Sequence, residues 1–94
     1  AAEYIATLDP KAVGTEAASV AGWTGEVPNH GPTTDVPPEA SHLPLLENDI
    51  LAIEELRNLD AVLDGDDYQR AAIFYTPLNF RDTSGSSVRA FAII

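Results

Sequence analysis

The stretch of sequence that decides the fold is residues 41–60, SHLPLLENDILAIEELRNLD. Ser41 can cap a short helix over 41–48, and Pro44 is tolerated in the first turn, where backbone N–H groups lack partners anyway. Ile50–Ile53 is a short apolar run, which predicts a strand that leads into Glu54. A helix that passes directly into a strand indicates an α/β protein.

Weaker signals on both sides extend this pattern. Asp9-Pro10 ends a first helix, because the residue before a proline is disfavoured in the α region. The further elements that we predict are a helix over Ala1–Leu8 with Tyr4, Ile5 and Leu8 on one face, a strand over Lys11–Gly14, a helix over Leu56–Leu63, and strands over Arg70–Thr76 and Val88–Ile94. Together they predict an α/β fold with a mixed sheet and short flanking helices.

The charge of the chain excludes several classes of function. Its 94 residues include 15 acidic and 5 basic side chains, so the formal net charge is −10. Nucleic acids and anionic membranes both require a basic surface, so we expect neither as a partner. No apolar run approaches the ~20 residues that span a bilayer. We therefore expect a cytoplasmic protein.

The length allows one small domain, and the chain contains no cysteine that could reinforce it. We predict a single partial domain over residues 1–94, interrupted by a Pro/Gly-rich loop at about 22–41. The chain contains no methionine, and no capping residue precedes its first helix. These two features favour a fragment or a subunit of a larger protein.

Few residues are candidates for chemistry. The sequence contains no Gly-rich phosphate loop and no nucleophile elbow, and its histidines are His30, which we expect to be solvated in the loop, and His42. A carboxylate that ends an apolar strand, as Glu54 does, needs a cation or a strong donor. A short helix and a tight return could bring His42 beside it, and these side chains together suit zinc or manganese. Alternatively, Glu54 points to solvent and His42 only fills a helix N-terminus. A one-residue register change would replace Glu54 by Glu55.

Four segments in the right order resemble the cyclase-like metal-dependent hydrolases, the family of kynurenine formamidase and isatin hydrolase. In residues 41–60 the resemblance lies in a histidine, paired leucines, an apolar strand that ends in glutamate, and Leu-x-Asn-Leu. The other matching segments are Lys11–Thr15 with Ala18–Val20, Tyr75–Phe80, and Gly85–Ala92. The resemblance covers nearly the whole chain except the loop, and it implies the C-terminal half of a swivelling β/β/α domain.

The resemblance implies a divalent-metal-dependent hydrolase of amide or cyclic amide and ester bonds in small molecules. His42 and Glu54 match the family histidine and glutamate that join the metal site. The main metal motif of the family, His-x-Gly-Thr-His-x-Asp, is absent here, and Glu16 and Ala21 replace two family aspartates. We therefore expect the chain to be inert without an N-terminal half or companion chain that carries this motif, and to form a homo-oligomer. The alternative is a non-catalytic acidic interaction or structural domain.

Overall fold

The computed structural model describes residues 1–21, 37 and 39–94. Within them the chain forms helices, a parallel strand pair and an antiparallel strand pair, which confirms the predicted α/β class. The two pairings lie in separate two-stranded sheets. The chain divides into two compact units, Ala1–Arg57 and Asn58–Ile94. Most of the predicted loop, including His30, lies outside the described residues.

The first unit is built around a parallel strand pair. Its elements are α1 (Ala2–Thr7), β1 (Ala12–Gly14), α2 (Glu39–Leu46) and β2 (Leu51–Ile53). Strands β1 and β2 are parallel, with Val13 opposite Ala52, and α2 lies in the connection between them. This is the strand–helix–strand arrangement that joins parallel strands. Both strands agree with the predicted ones to within one residue.

Helix α1 forms where it was predicted, but the face that it buries is different. Tyr4 is 68% exposed and Leu8 is 62% exposed, so the predicted apolar face is wrong at both positions. The helix packs against α2, and the side chains that lie against the core are Ala2, Ile5 and Ala6. In a helix of six residues the position of the neighbouring helix decides which side is buried.

Helix α2 is shifted by two residues towards the N-terminus. It begins at Glu39, so Ser41 lies inside it and is not its cap, and the predicted loop ends before residue 39. Pro44 is the sixth residue of α2 rather than part of its first turn. The N–H that proline lacks would have bonded to the carbonyl of Ala40, one turn earlier, so the helix loses a single hydrogen bond near its start.

A tight turn connects α2 to β2 and anchors the core. The Ile50 N–H donates to the Leu45 carbonyl at 3.0 Å, the Asp49 N–H donates to the Leu46 carbonyl at 3.1 Å, and Asp49 has a φ of 57°. These are the paired bonds of a Schellman motif, in which an apolar contact between the same two outer residues is common. Leu45 and Ile50 are each 1% exposed, so the turn that ends the helix also brings together the centre of the core.

The second unit contains α3 (Leu59–Leu63) and two strands, β3 (Ala72–Pro77) and β4 (Val88–Ile93). The strands are antiparallel, and Phe74 lies opposite Phe91 with the two rings stacked 5.0 Å apart. Both strands agree with the prediction to within two residues. Helix α3 begins three residues later than predicted, because Asn58 has a φ of 62°, which is incompatible with a helix.

Candidate metal-binding pair

The sequence predicted His42 and Glu54 as metal ligands, and the structure places both at one end of the parallel strand pair. His42 lies in α2, and Glu54 is the first residue after β2. Functional side chains are common at the carboxyl ends of parallel strands, because successive loops meet there. The short turn after α2 brings the chain back along the helix, so residues twelve positions apart become neighbours.

The two side chains are in direct contact. The distance from His42 Nε2 to Glu54 Oε1 is 3.0 Å, and the side chains are 28% and 32% exposed. The juxtaposition predicted from the spacing is therefore confirmed, and the alternative in which Glu54 points away into solvent is wrong. Because an ionised carboxylate only accepts hydrogen bonds, this contact requires the proton to lie on Nε2. Whether the pair binds a metal ion stays a prediction.

A third group, which no sequence pattern indicated, holds the carboxylate. The backbone N–H of Val20 donates to Glu54 Oε1 at 2.9 Å. Val20 follows β1 in the chain and is separated from Glu54 by 34 residues. A backbone donor leaves no mark in the residue type, so composition and spacing could not identify it.

The neighbouring residue, Glu55, lies where the backbone turns away from the strand. Glu55 is exposed, its φ is 56°, and its backbone N–H donates to the Ala17 carbonyl at 3.0 Å. The ambiguity between Glu54 and Glu55 is thereby resolved in favour of Glu54 as the partner of His42.

The separation of the two donor atoms is compatible with a shared ion. Ligand atoms that each lie ~2.0–2.2 Å from one ion, at octahedral to tetrahedral angles, are roughly 2.8–3.6 Å apart. The observed 3.0 Å between Nε2 and Oε1 falls in this range. Among the described residues, no cluster of three or more histidine, aspartate or glutamate side chains is suited to hold a metal. Within the described part of the chain, His42 and Glu54 are therefore a pair of candidate ligands, fewer than a complete site requires.

None of the described helices is long and apolar enough to cross a membrane. Comparisons of the chain with protein-family models, with curated proteins and with solved structures found no match.

Proposed function

We propose that this chain supplies His42 and Glu54 to the metal centre of a hydrolase that resembles the cyclase-like family. The observation that carries the proposal is the 3.0 Å contact between an imidazole nitrogen and a carboxylate oxygen at the end of a parallel strand pair. The resemblance of four segments in the right order supports the same role. The reaction class is the hydrolysis of amide or cyclic amide and ester bonds in small molecules.

The chemistry requires a divalent ion, zinc or manganese. When bound, such an ion lowers the pKa of a coordinated water and polarises a carbonyl group. His42 and Glu54 would hold it, and the Val20 N–H would keep the carboxylate in place. An ion binds the unprotonated form of a ligand atom, so Nε2 would carry no proton in the loaded site.

The remaining ligands would come from an N-terminal half or a companion chain that carries His-x-Gly-Thr-His-x-Asp. The proposal therefore includes a larger assembly, with a homo-oligomer as its expected form and the cytoplasm as its location. Alone, the chain should be inactive, because two ligands neither retain an ion firmly nor enclose a substrate.

The test begins with the native assembly. The protein is captured from its own cell extract through a tag, and mass spectrometry identifies any partner with the His-x-Gly-Thr-His-x-Asp motif. Metal content and amide hydrolysis are then measured for the wild type, His42→Ala and Glu54→Gln. Glu55→Gln is the matched control, because it removes an adjacent charge outside the pair. Full metal content and turnover in both pair variants would disprove the proposal.

One observation favours the alternative of a non-catalytic interaction domain. Phe74 and Phe91 stack on each other in β3 and β4, yet they remain 46% and 48% exposed. Exposed aromatic surface of this kind is typical of a protein contact. A partner without metal ligands, together with unchanged partner binding by His42→Ala, would favour this second function.

A further inference from the structure

The backbone after β1 runs along the end of β2 and passes close to Glu54. The segment of residues 15–20 is called the 15–20 turn below. Backbone hydrogen bonds continue the strand pairing into it: Thr15 N–H to Ile53 O at 3.0 Å, Leu56 N–H to Thr15 O at 2.9 Å, and Glu55 N–H to Ala17 O at 3.0 Å. The turn is therefore attached to the same end of the sheet that carries Glu54.

Two hydroxyl groups shape this turn. Thr15 Oγ1 accepts the Ala17 N–H at 3.0 Å, and Ser19 Oγ accepts the Ala21 N–H at 3.1 Å. Serine and threonine side chains that accept a hydrogen bond from the N–H two residues later stabilise tight turns. The bond from Ser19 spans Val20, so it restricts the peptide groups on both sides of that residue.

Val20 transmits this restriction to the carboxylate. Its N–H donates to Glu54 Oε1, the same oxygen that contacts His42 Nε2. Hydrogen bonds to a charged acceptor are shorter and stronger than neutral ones, so this N–H selects one orientation of the carboxylate. Within the described residues, both hydrogen bonds of the Glu54 carboxylate are made by Oε1.

We infer that Ser19 is a positioning residue for Glu54. Its hydroxyl fixes the Val20 N–H, and the Val20 N–H fixes the carboxylate beside His42. In the proposed metal centre, on which the functional part of this inference rests, the chain of bonds presents a pre-oriented carboxylate to the ion. In many metal sites, groups that hydrogen-bond to a ligand without contacting the ion hold that ligand in its orientation.

The hydrogen-bond chain can be tested without any metal. The amide proton of Val20 is followed by ¹H–¹⁵N NMR in the full chain and in the variants Glu54→Gln, Ser19→Ala and Ser19→Thr. We expect Glu54→Gln and Ser19→Ala to move this resonance upfield, because the N–H loses a charged acceptor or its alignment, and Ser19→Thr to preserve it. Ser84→Ala, a serine in the other unit, is the control. If the chemical shift of the Val20 amide proton stays at its wild-type value in Glu54→Gln or in Ser19→Ala, the inference is overturned.

The functional consequence is tested in the metal-loaded assembly. Loss of a partner of a metal ligand typically lowers metal affinity by ~10–100-fold. Ser19 acts on Glu54 only through a backbone group, so we expect the smallest loss in this range. The affinity of Ser19→Ala for zinc or manganese should fall by about 10-fold. Ser19→Thr should retain wild-type affinity, and a loss in Ser19→Thr equal to that in Ser19→Ala would contradict the role of the hydroxyl. If the wild-type assembly binds neither metal, the proposed function fails, whereas the NMR result still decides whether Ser19 positions Glu54.

Discussion

We expect Glu54→Gln to lower metal affinity strongly while changing the free energy of unfolding only slightly. Glutamine has nearly the same shape as glutamate, and its carbonyl oxygen can still accept the Val20 N–H. The change removes the negative charge that faces His42 Nε2 at 3.0 Å. Glu54→Gln therefore tests the charge of Glu54 while its size and shape are kept.

The size of the structural effect follows from exposure. About a third of each side chain of the pair is exposed, at 28% and 32%, so water screens their attraction. Ion pairs at exposed sites contribute ~0.2–1 kcal/mol, whereas breaking a buried pair costs ~3–5 kcal/mol. For Glu54→Gln we expect about 1 kcal/mol, close to the upper end for exposed pairs, because the Val20 N–H also loses a charged acceptor.

The assay combines two measurements on the same variants. Urea unfolding of the wild type, Glu54→Gln, His42→Ala and the double variant gives a coupling energy, which should be about 1 kcal/mol or less. Metal titration of the assembly should show a loss for Glu54→Gln of at least ~10–100-fold, the range for partners of metal ligands. A cost above about 3 kcal/mol with unchanged metal affinity would refute the reasoning and mark the pair as a structural ion pair.

Three further results are expected. Leu45→Ala should lower the free energy of unfolding by ~2–5 kcal/mol in urea melts, because this side chain is 1% exposed, whereas Leu46→Ala, 53% exposed, should change it by less than ~0.5 kcal/mol. Phe91→Glu should reduce self-association in sedimentation experiments, since it places a charge on the exposed ring pair with Phe74; unchanged association would exclude this face as an interface. Zinc binding to the assembly should change the ¹⁵N chemical shift of His42 Nε2 in histidine-labelled protein, because the ion replaces the hydrogen bond to Glu54; an unchanged shift would exclude His42 as a ligand.

The strands could be predicted from sequence because their signals are local. Short apolar runs in the sequence coincide with the four strands of the described residues to within two residues. The helices were less predictable, since each is only five to eight residues long and its ends depend on single backbone angles. Asp49 and Asn58 both adopt a positive φ, a conformation that glycine would have signalled and that these residues signal weakly.

In the candidate site, the two side chains could be predicted from the sequence, whereas the backbone donor could not. His42 and Glu54 were identifiable because a carboxylate at the end of an apolar run requires a partner. Val20 was not, because its contribution is a peptide N–H that any residue except proline could provide. The position of that N–H depends on the 15–20 turn, and only the hydroxyls of Thr15 and Ser19 hint at it in the sequence.

The choice between Glu54 and Glu55 shows how the backbone determines which carboxylate meets the histidine. In a continuous strand, Glu54 and Glu55 would point to opposite faces, but β2 ends at Ile53, so neither glutamate lies in the strand. The Thr15 N–H bonds to the carbonyl of Ile53, and this bond fixes the peptide that leads into Glu54. The chain then turns at Glu55, where φ is 56°. The chain thus changes direction directly after Glu54, and the end of the strand pairing selects Glu54 as the carboxylate in contact with His42 Nε2.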